Sequence, residues 1–345
     1  MTGVPMEART ESRGRAEWRS VINRYQQSDV GRAIAQIVTT IVPLALTFYV
    51  MYRTLVLPYW VTLLLAPLGA GLLVRTFIIM HDCAHGSFFP SRRANEIVGW
   101  ITGVLTLTPF SQWRHHHSLH HASSGDLDRR GHGDVDTLTV REYALRSRKE
   151  RLKYRLLRNP LILFGLGPLH FMITNRIPPK GEPLSNREAI SVWSANLGIL
   201  VIVAAMWAWI GWQSLFLVYF PAMYIAAATG IWLFYVQHQF EGTYWKDHGE
   251  WDYATAAIRG SSYFKLPAVL QWFTGSIGLH HVHHLGPRIP NYRLKRCHDE
   301  NPMFHDVTVL TLGNSLRTLR LSLWDEEREQ LVSFREAKRS EALSV

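Results

Sequence analysis

Four stretches of the chain run for about twenty residues or more with almost no charged side chain. The first contains no charge, and the second contains only Arg75. A helix rises 1.5 Å per residue, so twenty residues span roughly 30 Å, the thickness of a bilayer core. We therefore predict an all-α integral membrane protein with four transmembrane helices in two hairpins. The predicted crossings are residues 33–52, 59–80, 189–212 and 214–236.

Basic residues lie between these apolar stretches and set the expected orientation. Six arginines precede the first crossing, and fourteen lysines and arginines lie within residues 114–187. Because cytoplasmic loops carry such an excess, both termini are expected in the cytoplasm, with the protein in a bacterial inner membrane. The net charge of +10 favours anionic lipid over nucleic acid as the counter-charge, since no basic patch is long enough to line a groove. Residues 1–32 are polar and are expected to contain no signal peptide.

The remaining sequence completes one expected domain, residues 1–345, with cytoplasmic parts at 1–32, 81–188 and 237–345 around the hairpins 33–80 and 189–236. The apolar segments 97–110 and 161–173 are too short to cross and predict interfacial or re-entrant helices. Residues 141–158 and the charged tail 324–339 predict surface helices. The only two cysteines, Cys83 and Cys297, exclude a disulfide framework and a thiolate zinc site.

Histidine is concentrated in three clusters on the cytoplasmic side of the predicted bilayer. Residues 113–121 read W-R-H-H-H-S-L-H-H, and the other clusters read H-D-C-A-H and H-H-V-H-H. Within each cluster histidines stand three or four residues apart, so a helix would gather their rings on one face. This shared spacing predicts metal ligands rather than solvated surface histidines. The spaced histidines are His81 and His85, then His117, His120 and His121, then His280, His283 and His284.

His238 ends the fourth predicted crossing at the same membrane depth as His81, which brings the candidate ligands to nine. Zinc in a four-coordinate site uses four ligands at most, so nine imidazoles indicate two metal ions of higher coordination number. We expect a cytoplasmic helical cap to hold this di-metal site. Its ligands would be neutral, and nearby carboxylates would orient the rings by accepting their other N–H groups. The carboxylate candidates are Asp82, Asp126, Asp128 and Glu241.

Arg75 has two interpretations. It lies six residues before His81, about 9 Å along a helix, and either snorkels to the interface or contacts a lipid headgroup or a carboxylate. Ring direction alone does not exclude His116 as a ligand, because it lies four residues before His120. Three histidines inside the clusters break the spacing: His115, His116 and His281. Five isolated histidines are interpreted as structural or solvated: His132, His170, His248, His298 and His305.

The motifs resemble those of the membrane fatty-acid desaturases, and most closely the omega-6, or delta-12, acyl-lipid branch. That family carries H-x(3-4)-H followed by two H-x-x-H-H motifs, which here are residues 81–85, 117–121 and 280–284. Further shared stretches are V-R-T-F-I-I-M-H-D-C-A-H-G-S-F-F, G-D-L-D-R-R-G-H-G-D, F-Y-V-Q-H-Q-F-E and H-H-V-H-H-L-G-P-R-I-P-N-Y. Two positions depart from family patterns: Ala84 replaces a common glycine, and His280 replaces the glutamine of front-end desaturases, which disfavours that subgroup.

The resemblance implies a di-iron centre held by the nine histidines, with His238 as the ligand outside the three motifs and His116 not a ligand. It also implies O2 as co-substrate, an acyl-lipid substrate from the bilayer, and a separate electron donor, either a ferredoxin or a cytochrome b5-like protein. The expected activity is cis desaturation of delta-12 type. The alternatives are a hydroxylase of the same superfamily, acting on alkanes or carotenoids, and a metal transporter, whose ligands would lie near the bilayer midplane.

Overall fold

The computed structural model describes residues 18–131, 135–178 and 185–343. Four arginine and histidine positions discussed above, Arg9, Arg13, Arg15 and His132, lie outside these residues. Within them, four helices have the length and apolar composition needed to cross a membrane. They are α1 (Val30–Arg53), α2 (Trp60–Ala84), α9 (Asn186–Ile210) and α10 (Trp212–His238). The prediction of four such helices is confirmed.

Helix α2 lies at the centre of these four helices. In its most apolar stretch 61% of the residues are buried, compared with 22–28% in the other three helices. It packs against both α1 and α10. Gly69 permits this close packing, because a Cβ there would lie 3.2 Å from Ala222 of α10 and 3.2 Å from Phe48 of α1. The central helix is therefore surrounded by protein, whereas its neighbours are left with outward-facing surfaces.

The outward surfaces of α1 and α9 are apolar. On α1 the exposed residues Ile34, Val38, Val42 and Leu46 repeat every four residues and form one stripe. Helix α9 exposes Leu197, Leu200 and Val201 among others. An apolar surface this large is uncommon on a protein surrounded by water, and it suits contact with lipid chains. The fold thus fits a membrane protein.

The long helices end close to the predicted boundaries, with two differences that matter for the histidines. Helix α2 continues past residue 80 to Ala84, and α10 continues past residue 236 to His238. His81 and His238 therefore belong to the last turns of these helices rather than to the segments that follow. At the other end of α10, the single residue Gly211 connects it to α9 with a φ of 78°, a left-handed conformation that favours glycine.

Twelve shorter α-helices lie in the remaining described chain. The first six are α3 (Arg92–Leu105), α4 (Phe110–Ser123), α5 (Val140–Leu145), α6 (Arg148–Leu157), α7 (Pro160–Gly165) and α8 (Gly167–Thr174). The last six are α11 (Tyr253–Arg259), α12 (Ala268–Phe273), α13 (His280–Leu285), α14 (Asn291–Glu300), α15 (Leu312–Ser315) and α16 (Phe334–Leu343).

Three of the predicted helical segments are divided in the structure, and one of them, residues 161–173, forms α7 and α8. Residues 97–110 end α3 and begin α4, with a turn between them. Residues 141–158, predicted as one helix, form α5 and α6, because Ser147 caps the start of α6 through a reciprocal hydrogen-bonded pair with Glu150. This capping pair was readable in the sequence as S-R-K-E.

The turn between α3 and α4 leaves no room for a side chain at Gly103. A Cβ there would lie 2.5 Å from the backbone oxygen of Thr108. We expect Gly103→Ala to lower the free energy of unfolding by about 1–3 kcal/mol, measured as a lower Tm of the purified protein in detergent. The control is Gly165→Ala, a helical glycine with open space around it, which should not lower the Tm. Equal Tm values for the two variants would contradict this interpretation.

The described chain is mostly helical, as predicted, and it also contains five short strands that were not predicted. They are β1 (Leu138–Thr139), β2 (Tyr263–Lys265), β3 (Val309–Thr311), β4 (Leu323–Asp325) and β5 (Gln330–Val332). Strand β4 pairs in parallel with β1 and antiparallel with β5, and β2 pairs in parallel with β3. These strands connect the C-terminal region to earlier parts of the chain. Strand β1 lies more than a hundred residues before its partner β4, and β2 lies more than forty residues before its partner β3.

The charged tail, residues 324–339, is the clearest correction. Only its second half is helical, as part of α16, whereas its first half forms β4 and β5. Burial of both faces explains this outcome: Trp324 and Leu331 pack with Leu127 and Trp245 in one buried cluster, and their neighbours Leu323 and Val332 pack in another. Asp325 closes the turn by accepting hydrogen bonds from two backbone N–H groups, those of residues 327 and 328.

Candidate metal centre

The nine spaced histidines come together at the ends of four helices, in two groups. The first group has five members, whose ring nitrogens lie within 4.8 Å of one another. It takes residues from the last turn of α2, from α4 and from α13, and its members are His81, His85, His117, His121 and His283. The second group has four members within the same distance: His120, His238, His280 and His284.

Helix geometry divides the H-x-x-H-H motifs between the two groups. Successive residues of a helix point about 100° apart, so neighbouring histidines cannot face the same point. On α4, His117 and His121 belong to the five-member group, while His120 belongs to the four-member group. On α13, His283 joins the five-member group, and the two remaining histidines of that motif join the other. One short motif can therefore supply both centres.

The ring nitrogens face one another at close range. The Nε2 atom of His283 lies 3.1 Å from Nε2 of His81 and 3.0 Å from Nε2 of His121. In the second group the Nε2 atoms of His238 and His280 are 2.9 Å apart. A neutral imidazole has one ring nitrogen with a free lone pair, so such convergence directs several lone pairs toward a common point. This is the arrangement that a bound cation requires.

Unpaired buried nitrogens provide a test of this fit. Nε2 of His85 and Nε2 of His284 are buried and have no hydrogen-bond partner in the part of the chain that the structure describes. Burying a polar atom without a partner is unfavourable, and native proteins rarely do so. A metal ion bound to each group would satisfy these nitrogens. The donor set therefore fits metal ions and is poorly explained without them.

Burial keeps these histidines in the form that binds metal. Desolvation, followed by the neighbouring imidazoles, holds the pKa of His85 and His117 well below the usual value. The same causes lower the pKa of His121, His280, His283 and His284. Since a protonated imidazole cannot ligate, a low pKa leaves the lone pair available at neutral pH.

Two hydrogen bonds orient rings from behind. Nδ1 of His81 lies 3.1 Å from Oδ1 of Asp82, and Nδ1 of His238 lies 3.0 Å from the backbone oxygen of Gly260. Because both partners are acceptors, Nδ1 carries the proton in each ring and Nε2 is left to face the group. The other oxygen of Asp82 accepts two hydrogen bonds from Asn291, at 2.6 and 2.8 Å, which fix the carboxylate in turn.

Comparison with known proteins agrees with this site. The family profile described as "Fatty acid desaturase" matches residues 54–308, a range that contains all nine histidines. The chain belongs to the fatty acid desaturase family. The desaturase is therefore an oxidoreductase, and the predicted enzyme class is confirmed.

Relatives of the desaturase come from bacteria and plants. A "Fatty acid desaturase" of Bacillus subtilis (strain 168) is 46% identical over 315 residues, which is 91% of this chain and 89% of the relative. An "sn-1 acyl-lipid omega-3 desaturase (ferredoxin)" of Synechocystis is 25% identical, covering 64% of this chain and 62% of the relative. A chloroplastic "Omega-6 fatty acid desaturase" of Glycine max is 25% identical, covering 69% and 56% respectively.

The four carboxylates predicted to support the ligands have different surroundings in the desaturase. Asp82 contacts a histidine of the five-member group, as described above. Asp126 is buried and instead pairs with His248, whose Nδ1 lies 2.8 Å from Oδ2 of Asp126. Asp128 accepts a hydrogen bond from the backbone N–H of His248, and Glu241 is exposed at the edge of a separate cavity. His248, interpreted above as isolated, is thus tied to two carboxylates.

Arg75 is buried and linked to three helices of the desaturase. Its Nε donates to Oγ1 of Thr40 on α1 at 3.1 Å, and its Nη1 donates to the backbone oxygen of Trp272 on α12. Its guanidinium carbon also lies 4.0 Å from the centre of the Trp272 ring, a cation–π contact. These contacts engage its Nε and Nη1 inside the protein.

The three unassigned histidines lie outside both metal groups. Nδ1 of His115 is 3.4 Å from a carboxylate oxygen of Glu188, and Nε2 of His281 is 3.3 Å from Nδ1 of His298. Two residues near the ligands had no predicted role. The ring of Trp113 stacks on His117 at 4.3 Å, and Asn291 donates a hydrogen bond to Asp82. The signal for Asn291 was its position in the shared stretch that follows the third motif.

Proposed function

We propose that the desaturase holds two iron ions at the nine histidines and uses O2 to introduce a cis double bond into an acyl chain of a membrane lipid. The observation that carries this proposal is the division of nine imidazoles into a five-member and a four-member group. Five and four neutral nitrogen ligands suit two ions of higher coordination number and leave a position open for a small molecule. Residues 1–345 act as one catalytic unit in this proposal.

The reaction removes two hydrogens from neighbouring methylene groups. Its balance is –CH2–CH2– + O2 + 2 electrons + 2 protons giving –CH=CH– + 2 H2O, so O2 is reduced to water while the chain is oxidised. Two bound iron ions would supply the oxidising power that no amino-acid side chain has. The residues of the protein bind the ions, orient the ligand rings through Asp82 and Gly260, and keep bulk water away from the buried site.

The arrangement of the long helices supports entry of the substrate from the bilayer. His81 and His238 stand in the last turns of α2 and α10, at the ends of two helices long enough to cross. An acyl chain leaving the lipid layer would therefore reach the histidines without passing through water. We propose that α1 and α2, and likewise α9 and α10, form membrane hairpins, with the site and both termini on the cytoplasmic side of a bacterial inner membrane.

Arg75 was predicted as a candidate headgroup contact. Its internal hydrogen bonds favour a different role, which is to hold α1, α2 and α12 together. Asp126 and Glu241 are retained as candidates for tuning the site at longer range, whereas Asp128, which accepts a hydrogen bond from the backbone of His248, is given no effect on metal binding. The electrons come from a separate donor, a ferredoxin or a cytochrome b5-like protein. One distant relative is named as ferredoxin-dependent.

The double-bond position that we propose is delta-12, on the strength of the stretches shared with omega-6 enzymes. Relatives named omega-3 and omega-6 match at similar identity, and the relative at 46% identity has no position in its name. A hydroxylase or a metal transporter is not favoured, because the relatives cited above are named as desaturases.

Expression of the desaturase in a host without polyunsaturated fatty acids tests this function. We expect a new cis double bond in the acyl chains of membrane lipids, mapped by mass spectrometry after derivatisation of the double bond. The matched control is the His120→Ala variant, which should be present in the membrane and form no product. Hydroxylated chains without unsaturated products would overturn the desaturase assignment, and a double bond elsewhere than delta-12 would overturn only the position.

A further inference from the structure

An open cavity of about 1100 Å³ lies on the cap, lined by residues other than the nine histidines. It is bounded by the end of α6, the start of α7, the turn at residues 316–320, strand β5 and the start of α16. Its charged lining consists of six arginines and two glutamates: Arg155, Arg158, Arg317, Arg320, Arg335, Arg339, Glu241 and Glu336. This excess of positive charge makes the cavity suited to an anion.

The cavity arginines are only partly compensated by the protein. Arg317 and Arg320 are exposed and form no ion pair with a carboxylate among the residues that the structure describes. Arg158 is only 5% exposed, and its Nε is buried without a hydrogen-bond partner in the described chain. Glu336 already accepts hydrogen bonds from Ser333, at 2.6 and 2.8 Å. A ligand with several acceptor oxygens would satisfy the exposed donors of Arg317 and Arg320.

Exposed leucines adjoin the arginines of the cavity. Two lie between Arg155 and Arg158, one follows Pro160, and one precedes Arg317. They are Leu156, Leu157, Leu161 and Leu316, which are 48%, 50%, 82% and 61% exposed. Arginine interleaved with exposed leucine is typical of surfaces that lie at the boundary between headgroups and acyl chains. At that depth the abundant anion is the phosphodiester of a phospholipid.

One side chain separates this cavity from the metal site. Nη2 of Arg158 donates to Oε1 of Gln239 at 2.7 Å, and Gln239 follows directly after His238 in the chain. Gln239 is itself buried and donates to Oγ1 of Thr137 at 3.2 Å. A headgroup held by the arginines would therefore lie next to the segment that carries one of the nine histidines.

We propose that this arginine cavity binds the phosphodiester of an anionic phospholipid, and that this lipid carries the acyl chain that is desaturated. The proposal rests on the proposed function, since it names the headgroup contact of the same substrate. The phosphate oxygens accept hydrogen bonds from Arg317 and Arg320 at the mouth of the cavity. The leucines beside them remain in the lipid layer and hold the mouth at headgroup depth.

Binding is measured first, without turnover. The purified full chain in a neutral detergent, with no electron donor, is mixed with phosphatidylglycerol or phosphatidylcholine of identical acyl chains, and bound lipid is counted by native mass spectrometry. We expect preferential retention of phosphatidylglycerol, and a loss of about fivefold or more in the double variant Arg317→Gln/Arg320→Gln. The charge-matched control is Arg141→Gln/Arg148→Gln, two exposed arginines on α5 and α6, which should change retention by less than about twofold.

Activity is then measured in mixed micelles of phosphatidylglycerol. The cavity variant should raise KM for the lipid and leave kcat unchanged, because the arginines bind the headgroup and not the reacting carbons. Equal phosphatidylglycerol retention by the cavity and control variants would overturn the proposal. Displacement of the lipid by inorganic phosphate beyond that caused by chloride at equal ionic strength would assign the cavity to a free anion instead.

Two further outcomes separate this proposal from others. A cavity variant that retains phosphatidylglycerol but accepts electrons more slowly from a reduced acidic ferredoxin would show a docking site for the donor, which overturns the lipid assignment. Wild-type protein that retains phosphatidylglycerol through these arginines but forms no double bond would overturn the proposed function, while the binding result would still support the phosphate site.

Discussion

Replacement of His284 by alanine will abolish double-bond formation and remove about one metal ion per chain, because the four-member group keeps only three of its imidazoles. The substitution also opens the buried site to water on the side of α13. Product is measured by mass spectrometry of membrane lipids, and iron by elemental analysis of the purified protein. A melting curve in detergent shows whether the variant is folded. Unchanged iron content and activity would remove His284 from the ligand set.

A second substitution tests the division into two groups. His85→Ala removes a member of the five-member group, so it should also lower the iron content by about one ion. The double variant His85→Ala/His284→Ala should lose both ions. Loss of both ions in either single variant would contradict two separable sites. The control is His305→Ala, an exposed histidine outside both groups, which should keep its iron and its activity.

Replacement of Asp82 by alanine will weaken iron binding by about 10–100-fold without removing a ligand. The carboxylate holds Nδ1 of His81 on one side and two N–H groups of Asn291 on the other. Its loss leaves the imidazole without an orienting acceptor and frees the segment that follows α13. The measurement is the rate at which a chelator removes iron from the purified protein. Asp82→Asn should lose less than alanine, since the amide oxygen still accepts from the ring.

Asp128→Ala is the matched control for Asp82, since both were predicted to support the metal ligands. In the structure Asp128 accepts a hydrogen bond from the backbone of His248 and contacts none of the nine histidines through a hydrogen bond in the described chain. Iron removal from this variant should proceed at the wild-type rate. Equal iron loss from the Asp82 and Asp128 variants would show that general destabilisation, rather than ring orientation, explains the effect.

The long helices and the meeting of the histidines could be predicted from the sequence because both are set by local periodicity. Twenty apolar residues specify a crossing, and spacing of three or four residues specifies one helical face. The same spacing could not reveal that His120 faces the opposite group from His117 and His121, since that depends on where α10 and α13 approach α4. The positions of the surrounding helices are needed to show that two faces of α4 each contribute histidines to a different group.

The strands and the contact between Asn291 and Asp82 were not predicted, because they join distant parts of the chain. Strand β4 pairs with β1, which lies far earlier in the sequence, and each strand contributes only two or three residues to the ladder. Such short segments carry no periodicity of their own. Asn291 reaches Asp82 across 209 positions, so nothing near either residue indicates the contact. The charged tail was assigned to a helix from its composition, whereas burial of both faces of the paired strands β4 and β5 made its first half a hairpin.

At the end of the bundle far from the histidines, the long helices are joined only by residues 54–59 and by Gly211. Connections this short offer little surface to which another protein could bind. Under the proposed function, electron delivery and metal loading are therefore expected at the histidine end of the bundle and not at this one. For the experimenter, an insertion of a fluorescent reporter at Gly211 would have to force apart two helices that meet through one residue.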